Sequence, residues 1–68
     1  MVVANMAGVV RTVLVKPGDT VAAGQDVIIL ESMKMEVPVP AASGGVVRHV
    51  KVREGDFVDE GDILVELE

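Results

Sequence analysis

The sequence predicts an all-β domain made of two similar halves, and three observations lead to this prediction. Valine is the commonest residue, with sixteen copies among 68 residues, and β-branched side chains favour strands over helices. Seven glycines and three prolines supply the turns that many short strands need. The third observation is an internal repeat, in which residues 8–31 align without gaps on residues 45–68.

Equivalent positions of the two repeats are offset by 37 residues, and half of their 24 aligned positions are identical. Two glycines mark turns in each repeat, namely Gly18 and Gly24 in the first and Gly55 and Gly61 in the second. Two copies are too few for a solenoid, so we expect halves related by a pseudo-two-fold axis that close one core. Val21 and Val58 lie between the turns and are expected to fill this core.

Six strands are predicted along the chain, at Val2–Ala4, Val9–Val15, Val27–Ser32, Met35–Val39, Val46–Val52 and Ile63–Leu67. In the predicted strand Val46–Val52, strict alternation cannot place Val47, Val50 and Val52 on the same face. This departure predicts a β-bulge near Arg48 or His49. Pro38 and Pro40 have no amide hydrogen to donate, so their strand is expected to lie at a sheet edge or to be interrupted. No segment has the apolar spacing of an amphipathic helix.

The centre of the chain carries an unusual turn sequence, Glu31-Ser32-Met33-Lys34-Met35-Glu36. Residues 32–35 are expected to form a hairpin tip, where Gly, Asn, Asp or Pro is usual. Two methionines at an exposed tip lower solubility, which indicates a surface that another protein recognises. The pseudo-symmetry predicts that the chain termini meet at the other end of the domain.

Composition and charge argue against several classes of function. The net charge of −5 repels nucleic-acid phosphates, and no apolar run approaches the length of about 18 residues that spans a bilayer. We therefore expect neither a nucleic-acid nor a membrane partner. The N-terminus does not resemble a signal peptide, and the absence of cysteine fits a reducing compartment, so a cytoplasmic location is expected.

Catalytic and metal-binding constellations are missing from the sequence. His49 is the only histidine and no cysteine accompanies it, so neither a metal site nor a base for Ser32 or Ser43 is available. Three acids next to turn glycines are expected to form turns rather than to act as acid or base groups: Asp19, Asp56 and Asp62. We therefore expect no catalytic residues and no enzymatic activity of the chain itself.

The central turn and the repeat together resemble the biotinyl/lipoyl attachment domain family, in its biotinyl form. Met33-Lys34-Met35 matches the Met-Lys-Met signature of that family, with Ser32 in place of the usual alanine. The paired Gly-Asp turns and Gly44-Gly45-Val46-Val47 match the rest of its frame, so the resemblance covers nearly the whole chain. Ala7 stands where many carboxylase domains have proline before the first glycine.

The chain is most similar to the free-standing, single-domain biotin/lipoyl attachment proteins. The loop between Gly24 and Val27 is too short for the protruding thumb of some acetyl-CoA carboxylase carrier subunits. The resemblance implies one domain over residues 1–68, with repeats 8–31 and 45–68 joined by the 32–35 hairpin. It also implies a flattened barrel-sandwich of two four-stranded antiparallel sheets.

The resemblance implies a function as a biotin carboxyl carrier. A biotin protein ligase would attach biotin to Lys34 as an amide, and the swinging arm would carry carboxybiotin between biotin carboxylase and carboxyltransferase sites. The residues expected to be recognised by the ligase are Glu31, Ser32, Met33, Met35 and Glu36. Lys34 is not expected to act on substrates itself, because a lysine amine is protonated at neutral pH and the two flanking acids favour its charged form.

Two other interpretations remain. The first is a lipoyl carrier that uses the same lysine, although lipoyl domains usually show Asp-Lys-Ala around it, whereas methionines flank Lys34. Free-standing members of the family could accept either lipoate or biotin. The second is an unmodified small β-barrel that acts as an interaction module and uses its apolar tip for docking.

Overall fold

The computed structural model describes all residues from Met1 to Glu68 as eight β-strands without helices. The strands are β1 (Val2–Val3), β2 (Gly8–Val13), β3 (Thr20–Val21), β4 (Asp26–Ser32), β5 (Met35–Pro40), β6 (Gly45–Val50), β7 (Phe57–Val58) and β8 (Ile63–Leu67). Six of these correspond to the predicted strands. The strands β3 and β7 were not predicted, because each lies in the short segment between two turns, where only a buried valine was expected. No helix long and apolar enough to cross a bilayer is present.

Two four-stranded antiparallel sheets form the molecule, with strand orders β1-β8-β6-β3 and β5-β4-β2-β7. This confirms the predicted fold class and the position of the proline-containing strand β5 at a sheet edge. The terminal strands β1 and β8 pair with each other, so the two ends of the chain are neighbours.

The two repeats exchange strands. The strand β3 of the first repeat pairs with β6 of the second, and β7 of the second repeat pairs with β2 of the first. Backbone hydrogen bonds outside the ladders occur in matching pairs 37 residues apart. One such pair is Val10 N to Asp56 O and Val47 N to Asp19 O, each at 2.8 Å. Each sheet is therefore completed by the other repeat.

The predicted β-bulge is present in β6, where the pairing with β8 shifts between Val47 and His49. The first repeat has the same shift between Val10 and Thr12, where β2 pairs with β4. In both strands the bulge lets valines on either side of an exposed arginine contact the core.

The core between the sheets is aliphatic and contains fourteen buried hydrophobic residues. Val21 and Val58 are both buried there, as predicted. The acids at the turns accept backbone hydrogen bonds three residues back: Asp19 from Lys16 N at 3.0 Å, Asp56 from Arg53 N at 2.9 Å and Asp62 from Asp59 N at 2.8 Å. Their predicted role in forming turns is thereby confirmed.

Candidate functional site

The central hairpin, consisting of β4, β5 and the turn between them, carries the Met-Lys-Met sequence. Ser32 at the end of β4 lies opposite Met35 at the start of β5, so Met33 and Lys34 alone form the turn. Their φ angles are 53° and 65°, which place both residues in the left-handed region. Positive φ at both central positions is the mark of a type I′ turn, the two-residue hairpin turn that usually contains Asn-Gly.

This turn is the one place where the chain holds side chains in the left-handed conformation. The other residues with positive φ are all glycines: Gly18, Gly24, Gly55 and Gly61. A side chain in this conformation costs about 1–2 kcal/mol per residue. At every other position with positive φ the chain has glycine, but it keeps Met33 and Lys34 at the tip. Such strain at non-glycine residues commonly accompanies a functional role.

The tip presents its side chains to solvent. Met33 is 91% exposed and Met35 is 65% exposed, which is unusual for methionine. Lys34 is also exposed, and its ammonium group forms no ion pair and no side-chain hydrogen bond. The Lys34 amine is therefore accessible from outside and is not held by the protein.

Below the tip, Arg11 of β2 links the two acids that flank the turn. Glu31 of β4 lies directly opposite Glu36 of β5. Arg11 Nη1 lies 3.3 Å from one Glu31 carboxylate oxygen, and Arg11 Nε lies 2.7 Å from one Glu36 carboxylate oxygen. We call these three residues the Arg11 cluster. It connects three adjacent strands at the base of the turn.

The Arg11 cluster corrects one expectation from the sequence. We expected Glu31 and Glu36 to stand next to the Lys34 charge, but Arg11 is their partner and Lys34 is left without one. Arg48 occupies the equivalent place in the second repeat and forms no ion pair. The sequence aligns the two arginines but does not show which of them faces two acids, since that depends on the pairing of β4 with β5.

Gly8, at the start of β2, packs tightly against the hairpin. A Cβ atom built at this position would lie 2.8 Å from the Glu31 carbonyl oxygen and 3.5 Å from Ser32 Cβ. Any side chain at residue 8 would push against the β4 backbone directly below the turn. Ser32 is half-buried at this contact, so it offers the outside less surface than the methionines do.

The site is a projecting hairpin and not a cavity. The largest surface depression, about 540 Å³ and wide open, is lined by none of the residues from Glu31 to Glu36. It lies between the repeats and includes the equivalent pairs Val13 and Val50, and Val15 and Val52. No group of three His, Asp or Glu side chains is placed to hold a metal ion. The arrangement therefore suits presentation of one amine to another protein.

A β-sandwich that presents one unpaired lysine on a strained hairpin, away from any pocket, fits the carrier class of proteins. The chain belongs to the biotin/lipoyl attachment domain family, whose model, described as "Biotin-requiring enzyme", matches residues 1–67. This family is one of attachment and carrier domains, so the predicted family is confirmed.

Among the relatives is the biotin/lipoyl attachment protein of Bacillus subtilis, which is 56% identical over 63 residues. The match covers 93% of this chain and 86% of that protein. The mitochondrial propionyl-CoA carboxylase alpha chain of Homo sapiens is 52% identical over 63 residues. That match covers 93% of this chain but only 9% of the carboxylase chain.

A solved structure with the same fold is the urea carboxylase of Kluyveromyces lactis. It superposes with a TM-score of 0.92 at 32% sequence identity, over 100% of this chain and 6% of the carboxylase chain. The chain thus spans a small part of these carboxylases. The roles of Glu31, Ser32, Met33, Met35 and Glu36 in recognition stay predictions.

Proposed function

We propose that this protein is a biotin carboxyl carrier, in which a biotin protein ligase attaches biotin to Lys34. The observation that carries the proposal is the exposed, unpaired Lys34 amine between two exposed methionines at a strained hairpin tip. Two relatives named above are carboxylases, which supports biotin as the group and carboxylase components as the partners.

The residues present fit covalent attachment of biotin through an amide. No carboxylate contacts the Lys34 Nζ atom, so an acylating enzyme can reach it without first breaking an ion pair. The ammonium group first loses one proton to solvent, and the resulting amine attacks the carbonyl carbon of an activated biotinyl-adenylate. As the C–N bond of the amide forms, the bond between that carbon and the phosphate oxygen breaks, AMP leaves with the electron pair, and the nitrogen loses a second proton to solvent.

Biotin, when bound, accepts a carboxyl group at one enzyme site and gives it up at another. The chain holds the attachment point on a rigid hairpin, whose strands are joined to β2 through the Arg11 cluster. Met33 and Met35 offer adaptable apolar contacts, which suit a tip that meets several different partners. Tethering keeps the carried group at a high local concentration near its partner enzymes.

Lipoate is a second candidate for the attached group. The family includes lipoyl as well as biotinyl domains, and the Bacillus subtilis relative is named for both groups. Methionine on each side of Lys34 favours biotin over lipoate, since lipoyl domains usually carry Asp-Lys-Ala there. The exposed amine by itself would accept either acyl group.

A competition between two ligases tests this proposal. The purified chain is incubated with a biotin protein ligase, a lipoate protein ligase, both cofactors and ATP, and its intact mass is measured. We expect a gain of one biotinyl group in the wild type and none in Lys34→Ala. Lys51→Ala, which removes another exposed lysine, serves as a control and should still gain the group.

Three outcomes would count against the proposal. A gain of one lipoyl group in place of biotin would favour the second candidate. A wild type that stays unmodified would support an interaction module, and an acylated Lys34→Ala would exclude Lys34 as the attachment point.

A further inference from the structure

One outward-facing row of side chains crosses the sheet that carries the central hairpin. In the strand pairing, Phe57 of β7 lies opposite Val9 of β2, Val9 lies opposite Glu31 of β4, and Glu31 lies opposite Glu36 of β5. Directly opposed residues in antiparallel strands point to the same face. We call these four residues the outer row. Its acidic end lies at the base of the turn and its other end is apolar.

The apolar end of the outer row is open to solvent. Phe57 is the only aromatic residue of the chain and is 68% exposed, although its neighbour Val58 is buried in the core. Val9 beside it is 39% exposed. The core is complete without Phe57, so packing within the chain does not explain a large apolar side chain at this position.

The internal repeat provides a comparison within the same molecule. The counterpart of Phe57 in the first repeat is Thr20, which lies opposite Val46 on the other sheet. Both Phe57 and Thr20 lie on two-residue edge strands and both are exposed. Threonine therefore satisfies this position in the fold, and the aromatic side chain occurs only on the sheet that carries Lys34.

We propose that Phe57 and Val9 form a second contact region for the enzyme that acylates Lys34, continuous with the hairpin tip. This inference rests on the proposed function. A stable protein interface covers about 800 Å² on each partner, which corresponds to a patch of about 16 Å radius. The outer row crosses four strands about 4.8 Å apart, or about 14 Å in all. An interface of ordinary size centred on the base of the turn therefore reaches Phe57.

The chemistry of acylation is the reason why we assign this contact region to the acylating enzyme and not to the other partners. An enzyme that forms a bond to Lys34 Nζ must bring its active site onto the tip and cover the adjoining sheet. Enzymes that act on the far end of a swinging arm do not need this close approach. Exposed aromatic side chains are enriched where proteins bind each other, and a few such residues contribute most of the affinity.

Ligation kinetics test the contact region. Initial rates of modification by a biotin protein ligase are measured against carrier concentration, at saturating biotin and ATP. The variants are Phe57→Thr, Val9→Thr and the matched control Thr20→Phe, which places an aromatic on the other sheet. We expect Phe57→Thr to raise the KM for the carrier about tenfold with kcat within twofold of wild type. Val9→Thr should raise KM less, and Thr20→Phe should leave it unchanged.

An unchanged KM for both Phe57→Thr and Val9→Thr would overturn the inference. A fall in KM for Thr20→Phe as large as the rise in KM for Phe57→Thr would also overturn it. Non-specific apolar binding by any exposed aromatic side chain would then explain both changes. Sedimentation equilibrium adds a further test: a wild-type dimer that Phe57→Thr dissociates without a change in KM would assign the patch to a second copy of this chain. Failure of the proposed function can be distinguished from failure of this inference, because the wild type itself would then not be modified.

Discussion

At the scale of single residues, the conformation of Met33 and Lys34 is the feature that distinguishes this chain from an ordinary small β-domain. Two side chains occupy left-handed positions that glycine fills elsewhere. The sequence alone singled out Lys34, because apolar residues at an expected tip are unusual. It did not single out Arg11, whose role depends on the pairing of Glu31 with Glu36.

We predict that Met33→Asn stabilises the fold and slows modification. Asn tolerates positive φ and is favoured at the first central position of a type I′ turn, so the free energy of unfolding should rise by about 0.5–1 kcal/mol. Because Met33 is 91% exposed, little packing is lost. Urea denaturation measures the stability, and the rate of biotinylation measures recognition of the tip.

Gly24→Ala is the matched control for Met33→Asn. Gly24 has a φ of 84°, and an added Cβ would meet no atom within 4 Å, so the substitution tests the backbone conformation alone. It should lower the free energy of unfolding by about 1–2 kcal/mol. If Met33→Asn instead lowered stability, the turn would not be strained in the way described.

At the scale of the elements, the central hairpin lies in close contact with β2 through its strand β4. Six of the eight strands were predictable from runs of β-branched residues, and the bulge in β6 was predictable because its valines depart from strict alternation. The strands β3 and β7 were beyond prediction, since each contributes two residues whose pairing is set by the other repeat. The exchange of strands between the repeats follows from this pairing and was not visible in the sequence.

The two glycines that begin β2 and β6 give a test of this contact. A Cβ at Gly8 would lie 2.8 Å from the backbone oxygen of Glu31, whereas a Cβ at Gly45 would meet no atom closer than 3.5 Å. We predict that Gly8→Ala lowers the free energy of unfolding by about 1–3 kcal/mol, because the backbone must shift. Gly45→Ala should change it by less than about 0.5 kcal/mol.

Thermal unfolding of the two variants side by side measures the difference. For a domain of this size, 1 kcal/mol corresponds to a shift in Tm of about 4–8 °C. An equal decrease in Tm for Gly8→Ala and Gly45→Ala would show that β2 packs no more tightly against the hairpin at Gly8 than β6 packs against its neighbours at Gly45.

At the scale of the whole molecule, the exchanged strands make the two repeats mutually dependent. Each sheet contains strands from both repeats, and the fourteen buried residues form one hydrophobic cluster. The sequence predicted a shared core, because neither repeat could bury its apolar face alone. The rigid frame that results holds the lysine-bearing turn in place.

We predict that neither half of the chain folds by itself. Fragments 1–42 and 43–68, prepared separately, each lack strands from both sheets and should give NMR spectra with narrow amide dispersion. Mixing them should restore dispersed signals if the two-repeat core reassembles. A well-dispersed spectrum from either fragment alone would contradict the mutual dependence of the repeats.

The central claim is that the hairpin tip, and no other part of the chain, is the point of attachment. Besides Lys34 the chain has two lysines, Lys16 and Lys51, so modification can be assigned among three side-chain amines. The direct test is tandem mass spectrometry of the intact wild-type protein after reaction with a biotin protein ligase, biotin and ATP. We predict one biotinyl group, located on Lys34 in every modified molecule. A group on Lys16 or Lys51, or no group at all, would contradict the account.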